Sequence, residues 1–147
     1  MALLAYMDST KGRGKDRAAL IAPCGMNCGL CVAFLRSRNA CPGCRGDDRG
    51  KPKTRVACRI RTCDRRIRTG EEYCGGCSSF PCELLLRLDK RYRAKYGMSM
   101  VENLKAIHAS GIRRFIRNEQ AKWACPGCGE MLCVHKAQCL ACQRRWR

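Results

Sequence analysis

Fifteen of the 147 residues are cysteine, and five cysteine pairs stand two residues apart: Cys28 with Cys31, Cys41 with Cys44, Cys74 with Cys77, Cys125 with Cys128, and Cys139 with Cys142. A C-x-x-C turn offers two thiolates to one cation while its backbone amides point at the sulfurs. Two such turns complete the tetrahedral shell of a structural zinc ion. The last segment, Cys125-Pro-Gly-Cys128 and Cys139-Leu-Ala-Cys142 with ten residues between the knuckles, has zinc-ribbon spacing. Gly127 and Gly129 ease the first turn, and the intervening residues suffice for a short hairpin. Cys133 and His135 also lie between the knuckles, but structural zinc sites close at four ligands. His135 is therefore expected to stack on the site or to hydrogen-bond a thiolate.

Ten further cysteines precede the ribbon: Cys24, Cys28, Cys31, Cys41, Cys44, Cys58, Cys63, Cys74, Cys77 and Cys82. Two four-coordinate sites would use eight of them, which gives about three zinc ions per chain. The three knuckles rank first as ligands. Cys82 follows, because Pro81 suits the first turn of a helix and a helix N-terminus stabilises a thiolate. Cys24, Cys58 and Cys63 compete for the remaining places, and their pairing stays open. An iron-sulfur cluster is the alternative cofactor. The C-x-x-x-C-x-x-C run of Cys24, Cys28 and Cys31 resembles the radical S-adenosylmethionine signature, but such enzymes repeat strand and helix units and no such alternation is visible here.

These thiols need elements to position them. A disulfide framework is the competing use of so many cysteines. The odd number and the repeated knuckles speak against it, and the opening Met1–Met7 is too short and uncharged a run for an export signal. A cytoplasmic protein is expected, with no membrane association, since no stretch approaches the roughly 18 apolar residues of a bilayer span. From Cys24 to Cys82, only eight of 59 residues are Leu, Ile, Val or Phe. Such a segment cannot offset its ordering entropy by burial, so metal must supply the difference.

The expected fold is a small metal-stabilised α-rich domain with a cysteine-knuckle module, a helical hairpin linker and a C-terminal zinc ribbon. Residues 1–22 read as a flexible basic arm, 23–82 as the cysteine-rich metal-binding module, 83–123 as the helical segment, and 124–147 as the ribbon with a basic tail. A short helix is expected over Cys58–Thr69, and a longer one from Pro81 to Gly97. The next starts at a Ser99/Glu102 capping box and turns Met100, Val101, Leu104 and Ile107 to one side. His108 shares a face with Val101 and Leu104 and is expected as a partly buried packing residue. After Gly111, a third helix runs from Ile112 to about Trp123 with Ile112, Phe115 and Ile116 as its apolar stripe.

Several of these motifs occur in one order: Cys24-Gly-Met-Asn-Cys28-Gly-Leu-Cys31, the Cys41–Cys44 knuckle, Cys58-Arg-Ile-Arg-Thr-Cys63, Tyr73-Cys-Gly-Gly-Cys-Ser-Ser-Phe-Pro-Cys82, Tyr96-Gly-Met-Ser99, Glu102-Asn-Leu104, Trp123 and the ribbon with His135. Over about Pro23 to Cys142 this order resembles the prokaryotic domain-of-unknown-function 3795 family. The resemblance implies a zinc-finger-like, metal-binding protein and no particular reaction. Arg55 stands where members often carry a further cysteine, which implies that this position is not an essential ligand.

Thirty Lys and Arg against twelve Asp and Glu give a formal net charge of +18. Each zinc held by four thiolates brings a net charge of −2, so three sites would leave about +12. Arg59, Arg61, Arg65 and Arg66 are expected to offset thiolate charge around Cys58 and Cys63. The excess suggests a polyanion, with Lys51, Lys53, Arg55, Arg91, Arg93, Arg144 and Arg145 as phosphate contacts for RNA or single-stranded DNA; Trp146 is expected to pack on the ribbon, with stacking on a base as the alternative. Catalysis has thin support: His108 and His135 are the only histidines, and no acidic pair or Ser-His-Asp pattern is evident. Three functions follow: a structural-zinc interaction or adaptor module with an unknown protein partner, a nucleic-acid-binding zinc protein, or an iron-sulfur redox protein.

Overall fold

A computed structural model describes residues 17–147, so most of the expected basic arm lies outside the described residues. The first half is built of turns. After a single 3-10 turn at Arg17–Leu20 come three brief helices, α1 (Val32–Leu35), α2 (Lys53–Val56) and α3 (Asp64–Arg68). The second half carries the long helices α4 (Glu83–Tyr96), α5 (Met100–Ser110) and α6 (Ile112–Lys122). Among the described residues no strand forms, and antiparallel pairing is confined to isolated bridges. No helix of the described residues is long and apolar enough to cross a membrane.

The long helices start and stop where their capping residues are. Ser99 Oγ accepts the Glu102 amide at 3.0 Å, closing the first turn of α5. Gly97 ends α4 in the left-handed region at φ +65°. Two expectations shift. Cys82 is the N-cap of α4, leaving Pro81 outside the helix. Of the Cys58–Thr69 segment only Asp64–Arg68 is helical, because Cys63 is extended at ψ 115° and breaks the run after the single turn that the Thr62 amide closes on the Cys58 carbonyl at 3.2 Å.

One buried cluster runs through the described chain, from Ile21 and Leu30 through Leu85, Met98, Met100 and Leu104 to Phe115, Trp123 and Val134. Helix α5 sits within it and packs against α4, α6 and the Cys74–Gly76 turn. Met100, Val101, Leu104 and Ile107 are buried as their spacing predicts. His108 is exposed: the buried stripe follows Met100, Asn103, Leu104 and Ile107, which leaves position 108 on its outer side. On α6, Phe115 is buried and Ile112 and Ile116 pack partly buried against the same cluster.

Polar contacts then tie the turn-rich half to this frame. Gly25 has φ +89°, and a Cβ there would lie 2.9 Å from Leu104 Cγ and 3.0 Å from the Met100 carbonyl oxygen, so α5 can approach only a glycine. Asn103 Nδ2 donates to the Gly25 carbonyl at 3.0 Å, and the Cys74 amide donates to the Pro23 carbonyl at 2.9 Å. The C-terminal segment docks by Val134 N–H to the Leu30 carbonyl (2.9 Å) and Leu132 N–H to the Trp123 carbonyl (2.8 Å).

Candidate metal centre

Each C-terminal knuckle is a closed loop of six residues, and the two have the same backbone hydrogen bonds. The Cys125 amide donates to the Glu130 carbonyl at 2.8 Å, and Gly129 N–H donates back to the Cys125 carbonyl at 2.8 Å. In the second knuckle the Cys139 amide donates to the Arg144 carbonyl at 2.9 Å, and Gln143 N–H donates to the Cys139 carbonyl at 3.0 Å. The fourth residue after each leading cysteine has positive φ: Gly129 at +80° and Gln143 at +67°. Single bridges, Ala124 with Met131 and Gln138 with Arg145, tie off the two loops. The expected hairpin between the knuckles is therefore absent, because each knuckle pairs with its own flank.

Face to face, the loops bring four sulfurs together. The Sγ atoms of Cys125, Cys128, Cys139 and Cys142 all lie within 4.8 Å of one another. Cys125 and Cys142 are 3.6 Å apart, and Cys128 and Cys139 are 3.7 Å apart. A tetrahedral zinc with bonds of about 2.3 Å sets its sulfurs about 3.8 Å apart, so this donor set fits such an ion. Gly127 N–H points at Cys125 Sγ from 3.3 Å. A Cβ on Gly127 would lie 3.0 Å from Arg144 Cδ and 3.6 Å from Cys142 Sγ, so this glycine lets the loops close.

Electrostatics agree with a shared cation site. The amides of Cys128 and Gly127 hold the Cys125 thiol below its ordinary range, with the Cys142 and Cys139 thiols as further donors. At Cys128 the Glu130 amide favours the thiolate, but desolvation and the hydrogen bonds this thiol gives to its cysteine neighbours raise it. The Cys125 thiol is thus held down and the Cys128 thiol held up by the same crowding of sulfurs, which a bound cation would relieve.

Cys133 and His135 stand apart from the four. Cys133 is fully buried, and burial raises its thiol pKa. Contrary to expectation, the His135 ring bonds elsewhere than to a thiolate of the site: Nδ1 accepts the Val32 amide at 3.2 Å and Nε2 is 2.9 Å from Tyr92 Oη. The docking bond from Val134 to Leu30 turns the ring toward α1 and α4, away from the knuckles. Burial and the cations Arg55, Arg147 and Lys136 lower the imidazole pKa, which suits a neutral ring accepting at Nδ1.

The ten earlier cysteines fall into two neighbourhoods. Cys24, Cys28, Cys31, Cys41, Cys44 and Cys58 line one cavity of about 360 Å³. Burial pushes the Cys24 thiol up to about 12. The Cys44 amide lies 3.4 Å from Cys28 Sγ, and the hydrogen bond from the Cys28 thiol, aided by Arg55, Lys51 and Arg61, holds Cys44 below the usual thiol range. The other neighbourhood surrounds Cys74. Burial pushes its thiol up to about 11, Arg66 opposes the rise, and the charges of Cys82, Cys63 and Cys77 add to it. Among the described residues, neither neighbourhood draws three sulfurs together as closely as the C-terminal four.

The basic residues divide similarly. Lys51 is buried, and its ammonium donates to the carbonyls of Cys44 (2.9 Å) and Gly46 (2.6 Å) and to Asp48 Oδ1 (2.9 Å). A phosphate cannot reach it. Arg66, also buried, donates to the carbonyls of Arg61 (2.6 Å) and Glu71 (2.9 Å), while Arg61 serves the Val56 carbonyl at 2.8 Å. Arg55 and Arg91 line the six-cysteine cavity, and Arg93 pairs with Asp89 at 2.7 Å. Lys53, Arg144 and Arg145 are exposed. Trp146 packs edge-on against Trp123 with centroids 5.6 Å apart.

Sequence reasoning missed the polar residues inside the core. Asp89, buried on α4, takes Ser99 Oγ at 2.6 Å and the Val101 amide at 3.0 Å, and Asn103 holds the loop beside Cys24. Both lie on an apolar helix stripe, the one sequence signal that could have found them. No curated protein and no solved structure matches the chain. Residues 20–87, which hold all ten N-terminal cysteines, match the model of a family described as a protein of unknown function, DUF3795.

Proposed function

We propose that this chain is a zinc-organised interaction module in which Cys125, Cys128, Cys139 and Cys142 hold one structural zinc ion as a ribbon over residues 124–147. The observation that carries this reading is the convergence of the four sulfurs within 4.8 Å of one another, two of the pairs at the spacing of a tetrahedral ion. Four protein thiolates leave no position for water or substrate, so the ion's task is to hold the two knuckles against each other. Leu140, between the ligands of the second knuckle, is 45% exposed and offers an apolar contact to a protein partner. In the same reading residues 23–82 form the metal-binding module and 83–123 the helical link, and Cys63, Cys74, Cys77 and Cys82 bind a further zinc.

Elemental analysis of the purified full-length chain tests the ribbon site. Cys139→Ser should remove about one zinc per chain relative to the unaltered protein, and Cys133→Ser should remove none. An unchanged zinc content in Cys139→Ser would overturn the assignment.

A nucleic-acid partner is the second reading, supported by the exposed Lys53, Arg144 and Arg145 and by the net charge of +18. If it holds, the logarithm of affinity for RNA falls linearly with the logarithm of salt.

A further inference from the structure

We propose that the cavity lined by Cys24, Cys28, Cys31, Cys41, Cys44 and Cys58 is a site for a four-iron, four-sulfide cluster. The two cysteine groups of this chain have opposite shapes. At the C-terminus four sulfurs converge on a point, as a lone ion requires. Here six cysteines stand around an open volume of about 360 Å³, roughly ten times a water molecule's share of liquid volume, and among the described residues no three of these sulfurs converge as the ribbon's do. One tetrahedral zinc would leave most of this volume empty. A cubane cluster is itself the filling: its irons and sulfides stand between the thiolates and hold them well apart.

The walls fit the same occupant. Cys24, Cys28 and Cys31 come from one short stretch, as cluster ligands commonly do, and Asn27 caps its 3-10 turn by accepting the Gly29 amide at 3.0 Å. The Cys41–Cys44 knuckle and Cys58 line the same cavity and supply the fourth thiolate. The Cys44 amide already points at Cys28 Sγ from 3.4 Å, the kind of N–H to sulfur contact that stabilises a ligated thiolate. Arg55, Arg59 and Arg91 on the lining offset the negative charge that four thiolates give a cluster, while Leu84, Leu88 and Met100 form its apolar side.

The experiment is anaerobic purification of the full chain from iron-supplied cells, with iron, acid-labile sulfide and zinc counted on one sample. About four irons and four sulfides per chain are expected, with a brown colour and a broad visible absorption. In Cys31→Ser the iron and sulfide should fall several-fold while the ribbon's zinc stays. In Cys139→Ser the reverse holds, so failure here and failure of the ribbon assignment can be told apart. Mössbauer spectra of the unaltered protein, which require no variant to fold, should show a four-iron centre. A colourless protein with zinc in place of iron, or iron retained in both Cys31→Ser and Cys24→Ser, would overturn the proposal.

Discussion

At Cys125 and Cys139 the backbone performs the same manoeuvre with different residues. Both knuckles need a left-handed residue four places after the leading cysteine, and one uses Gly129 while the other uses Gln143. A side chain in that region costs about 1–2 kcal/mol, whereas glycine accepts it at a smaller entropic cost of roughly 0.5–1 kcal/mol. The two positions therefore respond in opposite senses. Gln143→Gly should leave the thermal midpoint of the metal-loaded chain unchanged or raise it, with a gain of up to about 1 kcal/mol. Gly129→Gln should cost about 1–2 kcal/mol, and since nothing lies within 4 Å of a Cβ there, the cost is one of backbone conformation alone. Equal losses in both variants would show that the loops are not equivalent. The cysteine spacing announced both knuckles, but Gln143 carries no mark of the turn it makes, because its conformation is imposed by the closing bond from Cys139 to Arg144.

At the scale of elements, the helices were legible because their signals are local. Ser99 and Glu102 announce the start of α5, and Gly97 and Gly111 mark where α4 and α5 stop. What joins the elements was not legible, since it consists of single polar atoms meeting across long stretches of chain, such as Asn103 on Gly25 and His135 between Val32 and Tyr92. His135 is the joint between the C-terminal segment and the earlier elements, and its chemistry makes that joint sensitive to acid. Its imidazole pKa is lowered in the folded chain, first by burial and then by neighbouring cations. As pH falls below the unfolded value of about 6.5, the unfolded chain takes up a proton that the folded one resists, so stability is lost from that point down to the lowered folded pKa. Above pH 6.5 the ring is neutral in both states and contributes no pH dependence. In His135→Gln the acid-side loss should shrink, while stability at neutral pH drops by about 1–3 kcal/mol from the disturbed hydrogen bonds. Denaturant unfolding of both proteins between pH 5 and pH 8 measures this, and identical slopes would remove His135 from the account.

For the whole molecule, the question is what a formal charge of +18 does in a chain with so little apolar material in its first half. Irregular loops leave carbonyl groups without helix or sheet partners, and each buried one needs a donor. Here cations supply several: Lys51 serves the carbonyls of Cys44 and Gly46, Arg66 those of Arg61 and Glu71, Arg61 that of Val56, and Arg45 that of Ile21 at 2.7 Å. Part of the positive charge is thus internal scaffolding for the cysteine loops, and only the remainder is free to meet a polyanion. Lys51 and Lys53 separate these roles, being two residues apart with opposite environments, one buried and one exposed. Lys51→Met removes three hydrogen bonds and strands the Cys44 and Gly46 carbonyls, so it should destabilise the chain by about 1–3 kcal/mol. It should leave the salt dependence of RNA binding alone in the fraction that remains folded. Lys53→Met should change stability by no more than about 0.5 kcal/mol. If RNA is a ligand, that substitution should weaken binding similarly for all sequences and reduce the slope of log affinity against log salt by about one. A lowered slope in Lys51→Met with unchanged stability would mean that its ammonium leaves the loop to meet phosphate, and the scaffolding role would then fall to the arginines alone.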